Sequence, residues 1–232
     1  MTITQKTLAA LLVSSTALTG TAVAEVSIEG NVGATTDYIW RGNTQSSGDA
    51  SLSGGIDVDF GNGFAIGTWV GSLGASDDMT DDDLQDSANY ELDVYGSYST
   101  ELSGVGVEIG YISYMYPGVA DSGSDFADYY VAFSYGPASF SYYALESAED
   151  AAFEATDETY MSLDLEFPLV QDWSLGLHYG VQDWTNPADA AADAADSDED
   201  TSFTLSKGDM SFTVSGDEGD DTRAIVSWGT SF

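Results

Sequence analysis

Carboxylate side chains recur at every second position in several apolar stretches of this 232-residue chain. Asp57 and Asp59 form one such pair, and Glu91 and Asp93 form another. Residues two apart lie on the same face of a β-strand, so each pair lines one face of its strand. A surface lined with carboxylates attracts cations and repels anions. The spacing of these acids therefore predicts a face that favours positive charge.

The elements that must hold these acids are short alternating strands. Apolar and polar residues alternate over twelve stretches between Val26 and Phe232, and short turns alternate with long acidic loops. We predict strands at residues 26–40, 50–60, 63–73, 88–99, 105–115, 126–136, 138–147, 158–167, 172–183, 201–207, 209–215 and 222–232. A two-residue period over so many strands favours a closed sheet. The predicted fold is an all-β, 12-stranded, antiparallel up-and-down barrel.

The two faces of these strands differ in charge. Away from the strand ends, no acid falls on the apolar face, and nine fall on the polar face: Glu29, Asp57, Asp59, Glu91, Asp93, Glu108, Asp128, Asp164 and Glu166. Asp37, Arg41 and Arg223 share the polar face. We predict that these twelve residues line the lumen of the barrel.

Alternation alone does not say which face points outward. A soluble barrel would turn its apolar face inward, whereas a transmembrane barrel turns it towards lipid. Aromatic residues near the predicted strand ends favour the membrane arrangement, because interfacial girdles are built from them. These aromatics are Tyr38, Trp40, Trp69, Tyr90, Tyr98, Tyr116, Trp173 and Trp228.

Both ends of the chain favour export and insertion. Residues 1–24 have the pattern of a cleavable signal peptide, with Lys6 before the apolar stretch LAALLV and a small-x-small site ending at Ala24. Residues 25–232 would then form a single outer-membrane β-barrel domain. The final strand ends on Phe232, and we predict that Trp228 and Phe232 form the signal read by the barrel-assembly machinery.

Acidic residues dominate the composition, with 40 Asp and Glu against 4 Lys and Arg and a net charge of −36. Nucleic acid is excluded as a partner, because phosphate binding needs clusters of Lys and Arg. The acidic segments 77–86 and 196–200 could bind Ca²⁺ through clustered carboxylates. Neither has the spacing of an EF-hand loop, so diffuse attraction of cations is the favoured interpretation. The chain has no cysteine, so disulfides do not stabilise it.

Three cationic residues carry alternative interpretations. Arg41 is predicted at the outer end of the first strand and Arg223 on the last, so both would lie near the seam of the barrel. They either pair with lumen carboxylates and hold the wall or narrow a pore. His178 is the sole histidine, and Ser174 lies about 13 Å from it along the strand, too far for a Ser-His pair. A serine on a neighbouring strand could still pair with His178, but no G-x-S-x-G elbow is present and a lone lumen histidine is more often a hydrogen-bonding wall residue, so we predict no enzyme activity. No motif indicates a cofactor or a bound metal.

The segment DYIWRGNTQSSGDASLSGGIDVDF at 37–60 resembles the TorF family of Gram-negative porins. The matching positions are Thr36, Asp37, Tyr38, Arg41, Gly42, Gln45, Gly54 and Gly55. The segments GTWVGSL (67–73) and YELDVYGSY (90–98), with residues 116–118 and 206–209, fit the same family. The resemblance implies an outer-membrane β-barrel. The unusually acidic loops depart from the family, so any specificity held in loops is not implied.

The combined prediction is a porin-like channel in the bacterial outer membrane for passive diffusion of small solutes, with a lumen that prefers cations. Twelve strands lie between the filled barrel of roughly eight strands and the open porin of roughly sixteen, so a narrow channel is predicted. The alternative is a closed structural or adhesive barrel that displays acidic loops. A water path past Asp57, Asp93 and Asp164 would favour the channel, and a plugged interior would favour display.

Overall fold

The computed structural model describes residues 25–74, 88–117, 125–148, 158–184, 196–217 and 222–232. The predicted signal peptide and the acidic segment 77–86 lie outside these residues. The described strands are β1 (Ser27–Thr35), β2 (Ile39–Trp40), β3 (Asn43–Thr44), β4 (Ser51–Asp59), β5 (Phe64–Ser72), β6 (Tyr90–Leu102), β7 (Val105–Met115), β8 (Phe126–Tyr135), β9 (Ala138–Ala148), β10 (Thr159–Pro168), β11 (Trp173–Trp184), β12 (Asp196–Lys207), β13 (Met210–Asp217) and β14 (Thr222–Ser231).

Strands β1 and β4 to β14 close into one barrel. Successive strands pair antiparallel, and the barrel is sealed where β1 pairs with both β4 and β14. This arrangement confirms the predicted 12-stranded antiparallel barrel. β1 has 9 residues and β6 has 13, lengths that suit tilted strands crossing a bilayer. Among the described residues, no helix has the length and apolar character needed to cross a membrane.

Two predicted strand boundaries are wrong. The first strand ends at Thr35 rather than at residue 40, because the following residues leave the sheet. β12 begins at Asp196, although the sequence predicts a loop over 184–200. Trp184 pairs with Asp196 and Gln182 with Asp198 in the ladder to β11. Backbone pairing along an existing edge therefore overrides the poor strand propensity of the acids at 196–200.

The apolar face of the barrel points outward. Ile28 and Leu52 are 70% and 68% exposed, and the outward face carries further exposed aliphatic and aromatic side chains: Ile56, Ile66, Val70, Val94, Ile109, Phe133, Leu163, Phe203, Phe212 and Val226. The buried side chains are instead mostly tyrosines, hydroxyls and carboxylates. A closed barrel with an apolar belt satisfies every backbone group within lipid. The soluble arrangement is therefore excluded, and the barrel is transmembrane.

The aromatic residues predicted for the girdles divide into two groups. Tyr90, Tyr98, Trp173 and Trp228 are exposed on the outer surface near strand ends. The other four, Tyr38, Trp40, Trp69 and Tyr116, lie inside the barrel, so their predicted position is wrong. These four side chains belong to, or pack near, a segment that folds into the lumen. A position near a strand end in the sequence does not tell whether an aromatic side chain faces the lipid or the lumen.

Candidate functional site

The segment between β1 and β4 folds into the barrel instead of extending from its rim. Asp37, Tyr38 and Ser46 are 7%, 8% and 1% exposed. The ring of Trp40 packs edge-on against Tyr114 of β7, with centroids 5.7 Å apart. We call residues 37–48 the lumen hairpin. The hairpin occupies the end of the barrel at which the long loops emerge, which we call the long-loop end.

The tip of the lumen hairpin is a two-residue turn between β2 and β3. Ile39 of β2 pairs with Thr44 of β3. Arg41 and Gly42 form the turn between these strands, with φ angles of 46° and 81° respectively. A type I′ turn needs positive φ at both central residues, which Gly adopts without steric cost. A Cβ atom on Gly42 would also lie 2.6 Å from Cβ of Asp200. Glycine is thus required both by the turn and by the close approach to β12.

Asp37 holds the base of the lumen hairpin. Its Oδ1 atom accepts hydrogen bonds from Thr44 Oγ1 at 2.6 Å, Ser46 Oγ at 3.0 Å and the Gly48 backbone N–H at 3.3 Å. Its Oδ2 atom accepts a hydrogen bond from Arg223 Nη1 at 3.2 Å. One carboxylate therefore closes the hairpin on itself and attaches it to β14.

Arg41 attaches the tip to the opposite wall. Nη2 lies 2.6 Å from Asp128 Oδ2 on β8, and Nη1 lies 3.1 Å from Glu158 Oε1 just before β10. The guanidinium carbon lies 4.2, 5.4 and 4.8 Å from the ring centroids of Trp40, Tyr143 and Tyr160. The Arg41 side chain is only 5% exposed. The guanidinium thus has two carboxylates and three aromatic faces around it, an arrangement that suits its planar charge.

These contacts correct the predicted position of Arg41. The residue lies at the tip of an inward hairpin and pairs across the lumen, away from the seam between β1 and β14. Burial alone would lower the pKa of Arg41, but the charge of Asp128, with Tyr114 and Glu158, raises it above its ordinary value. Burial raises the pKa of the Glu158 carboxyl, and Arg41 opposes that effect. The ion pair with Arg41 therefore favours the charged form of Glu158 against the effect of burial.

A second group of wall residues supports the other side of the lumen hairpin. The Tyr38 hydroxyl donates to Glu91 Oε1 at 2.9 Å, and the Tyr116 hydroxyl donates to Glu91 Oε2 at 3.0 Å. Burial raises the pKa of Tyr38 well above its ordinary value, so the phenol remains a donor. The Tyr38 ring packs 5.3 Å from that of Trp69. Asp93, on the same face of β6 as Glu91, is 5% exposed, and its Oδ1 atom has no hydrogen-bond partner among the described residues.

His178 belongs to a network on the wall beside the hairpin tip. Its Nδ1 lies 2.6 Å from Asp164 Oδ1, and its Nε2 lies 2.8 Å from Asp200 Oδ1. The Tyr160 hydroxyl donates to Asp200 Oδ2 at 3.0 Å, and Ser162 donates to Asp164 at 3.0 Å. Both ring nitrogens thus face carboxylates, and the network joins β10, β11 and β12. The described residues contain no group of three or more His, Cys, Asp or Glu placed to hold a metal ion.

The opposite end of the barrel, which we call the short-turn end, is built differently. Asp57 is half-buried and accepts hydrogen bonds from Tyr95 Oη at 2.6 Å and Asn31 Nδ2 at 3.2 Å. Glu29 faces Asp57 across the β1–β4 ladder. Glu29, Asp59 and Glu166 are all exposed. Carboxylates at this end are therefore solvated or bonded to neutral groups.

The structure brings ten of the twelve predicted lumen residues together in two sets, and the other two, Asp164 and Glu108, bond to other wall residues. Asp37, Arg41, Glu91, Asp93, Asp128 and Arg223 contact or surround the lumen hairpin, whereas Glu29, Asp57, Asp59 and Glu166 belong to the short-turn end. Asp164 bonds to His178, and Glu108 accepts a 2.6 Å hydrogen bond from the Tyr130 hydroxyl. Sequence reasoning missed Glu158, Tyr160 and Asp200. Asp200 continues the polar parity of Ser202, Thr204 and Ser206, so a longer β12 would have identified it.

A family profile matches residues 19–215, and its description reads "Bacterial protein of unknown function (Gcw_chp)". The chain belongs to the Gcw_chp family. No curated protein matches it. A bacterial chain that forms a closed barrel with an outward apolar belt lies in the outer membrane.

Solved structures align with the Gcw_chp barrel at low identity. A structure from work on the in-meso crystallization of membrane proteins has a TM-score of 0.51 at 6% identity, over 88% of this chain and 83% of that chain. The KdgM porin in complex with disordered oligogalacturonate has a TM-score of 0.49 at 11% identity, over 88% and 97%. The NanC porin has a TM-score of 0.45 at 10% identity, over 88% and 98%. The first of these likenesses concerns the fold alone.

Proposed function

We propose that this Gcw_chp barrel is a narrow outer-membrane channel for passive diffusion of small solutes, with a preference for cations. The observation that carries the proposal is the charge balance of the lumen. After residue 24 the sequence contains only Arg41, Arg223, Lys207 and His178 as basic residues. The lumen of such a chain has far more carboxylates than cations to pair with them.

The pairing pattern supports this charge balance. Arg41, Arg223 and His178 form salt bridges with five acids, namely Asp37, Asp128, Glu158, Asp164 and Asp200. Lys207 lies over the ring of Trp173 at 5.3 Å, at the short-turn end. Glu29, Asp57, Asp59, Glu91, Asp93 and Glu166 take part in none of these salt bridges. The exposed or half-buried members of this set are Glu29, Asp57, Asp59 and Glu166. The field of these four acids favours cations along the lumen and disfavours anions.

In this proposal the lumen hairpin is the constriction. The sequence suggests that Arg41 and Arg223 either pair with lumen carboxylates or narrow a pore. In this proposal they do both, because their ion pairs hold the hairpin across the lumen. Solutes pass between the hairpin and the wall, past Asp93 and towards the solvated acids of the short-turn end. A folded-in loop reduces the bore of a barrel that would otherwise hold a wider aqueous path.

The docked hairpin also favours a second candidate, a closed structural or adhesive barrel that only displays its loops. Arg41 is nearly fully buried in its contacts with Asp128 and Glu158, and aromatic rings fill the space beside it. If the hairpin never leaves this position, the long-loop end is shut. This candidate predicts no conductance and a loss of surface binding when the loops predicted at 74–87 and 184–200 are removed. Because Trp184 belongs to β11 and 196–200 belong to β12, the second deletion is limited to 185–195.

A planar-bilayer recording separates the candidates. The purified barrel should conduct, and under a KCl gradient its reversal potential should have the sign of cation selectivity. Asp57→Asn should reduce that selectivity. Asp209→Asn removes the same charge from the exposed β12–β13 turn and should leave selectivity nearly unchanged. Absence of conductance would favour display, and anion preference would refute the role given to the lumen acids.

Three finer assignments complete the proposal. The resemblance of residues 37–60 to the TorF porins supports a porin role, since the matching residues between Asp37 and Gln45 are those that build the lumen hairpin.

We further propose that Trp228 and Phe232, exposed near the end of β14, are recognised by the barrel-assembly machinery. The lipid bilayer surrounds the belt, and diffuse cations neutralise the acidic surface. Deleting Phe232 should lower the amount of folded barrel in outer-membrane fractions.

A further inference from the structure

The wall that receives Arg41 has the composition of a binding site for an organic cation. Asp128 and Glu158 supply two carboxylates, and Tyr143 and Tyr160 supply two aromatic faces. We call these four residues the cation box. Two oxygens from separate carboxylates contact different nitrogens of one guanidinium, at 2.6 and 3.1 Å. The bound guanidinium of Arg41 therefore shows which kind of chemical group this site can hold.

The cation box is built by the wall and not by the hairpin. Glu158 accepts a hydrogen bond from Gln182 Nε2 of β11 at 2.6 Å. Tyr143 stacks with Tyr130 of β8 at 5.2 Å between ring centroids. The β8–β9 register shifts between Ala127 and Asp128, a bulge of the kind that re-aims a side chain. Because these supports come from the barrel strands, we expect the box to keep its shape when the Arg41 side chain is removed.

The occupant of the box, in contrast, comes from a separate segment. Arg41 reaches Asp128 and Glu158 from 87 and 117 residues earlier in the chain. Buried carboxylates without a counter-charge are costly, so an emptied box should take up another cation. A guanidinium fits better than a compact ammonium, since its planar fork bonds two acceptors while its faces contact rings.

We propose that the cation box is a binding site for guanidinium-bearing solutes and that Arg41 is its tethered occupant. A solute of this class that enters the lumen competes with Arg41 and releases the tip of the hairpin. The inference rests on the proposed channel only in that a solute must reach the lumen. It adds a substrate class, small guanidinium cations, to the general cation preference.

Binding can be measured without any channel activity. Arg41→Ala barrel in detergent should bind methylguanidinium in isothermal titration calorimetry, with a matching rise in melting temperature. Arg41→Ala/Asp128→Asn removes one of the two carboxylates without leaving a buried arginine unpaired. It should bind about tenfold more weakly or worse, as expected for loss of a charged hydrogen bond. Methylammonium should bind Arg41→Ala more weakly than methylguanidinium, and urea, an uncharged planar analogue, should not bind.

The outcomes separate this inference from the channel proposal. Equal binding to both variants, or to wild type, would show only general association with an acidic protein and would overturn the cation box. In bilayers, methylguanidinium should reduce the current through Arg41→Ala towards the wild-type value. If Arg41→Ala does not fold, wild type in methylguanidinium chloride should conduct more than in methylammonium chloride of equal strength. Measurable but equal currents there would also overturn the inference, whereas binding without conductance would overturn only the channel.

Discussion

The long-loop and short-turn ends of the lumen carry the same type of residue in opposite states. At the long-loop end Asp128 and Glu91 are each 2% exposed, and they bond to Arg41 and to the hydroxyls of Tyr38 and Tyr116. At the short-turn end Glu29, Asp59 and Glu166 are exposed. A buried carboxylate needs a partner, whereas a hydrated one does not.

We propose that the carboxylates have different roles at the two ends of the lumen. The buried carboxylates of the long-loop end pair with Arg41 and Arg223 and hold the hairpin in place, so we propose that the geometry of this end determines which solute fits. Where carboxylates are hydrated, their field extends into the water and acts on any ion. In the proposed channel, selection by shape would therefore belong to the long-loop end, and selection by charge sign would belong to the short-turn end.

The largest expected effect comes from removing the lumen hairpin. Replacing residues 38–47 by a short Gly-Ser linker should raise single-channel conductance several-fold, because the segment that crosses the lumen is gone. An excision of equal length within the acidic segment 77–86 serves as the control and should change conductance little. An unchanged current after removal of 38–47 would mean that the constriction lies elsewhere and would break the comparison.

The next largest effect is on the free energy of unfolding, and it compares the same Asp-to-Asn substitution at one position in each end. Asp128→Asn leaves the Arg41 guanidinium buried with a single carboxylate, which should cost about 3–5 kcal/mol of unfolding free energy. Asp59→Asn lies at the exposed end and keeps the oxygen that accepts from the Gly61 N–H, so its cost should be within about 0.5 kcal/mol. Urea unfolding of the barrel in vesicles, followed by tryptophan fluorescence, measures both. Equal costs would show that the two ends are equally dry.

The barrel could be predicted because it depends on local periodicity, whereas the outward direction of the apolar face also required the aromatic residues near the strand ends. Alternation such as Leu52, Ile56 and Val58 against Asp57 and Asp59 is set by the pleat of the strand. Strand ends such as β7 at Val105–Met115 coincide with the prediction, since the flanking Gly and Pro residues mark turns.

The lumen hairpin could not be predicted in the same way. Tyr38, Ile39 and Trp40 have high strand propensity and continue the alternation of β1, so they give the pattern of a longer strand. The turn at Arg41 and Gly42 lacks the Asn-Gly or Asp-Gly pair by which short hairpins are recognised. What folds the segment inward is contact with β8 and β10, far along the chain, and no local pattern encodes that contact.

A smaller effect should follow from loosening the base of the hairpin. Asp37→Asn keeps one acceptor oxygen but loses the charge that faces Arg223, so it should cost about 1–2 kcal/mol. The hairpin should then undock more often, which appears as more frequent current fluctuations in bilayer recordings. Asp49→Asn, at an exposed position just beyond the hairpin, is the matched control. Identical current noise in the two variants would refute the anchoring role of Asp37.

The smallest effect gives the finest test of how the two ends differ. Tyr38→Phe removes a hydroxyl that donates to Glu91, and Tyr95→Phe removes one that donates to half-buried Asp57. Both tyrosines are buried, at 8% and 9% exposed, so the loss of packing is the same and the difference lies in the acceptor. Water can replace the lost donor at Asp57 but not at Glu91. Tyr38→Phe should therefore cost about 1–3 kcal/mol and Tyr95→Phe less than about 1 kcal/mol. A larger cost for Tyr95→Phe would place the dry part of the lumen at the short-turn end, and the field that selects cations would then have to originate beside the hairpin.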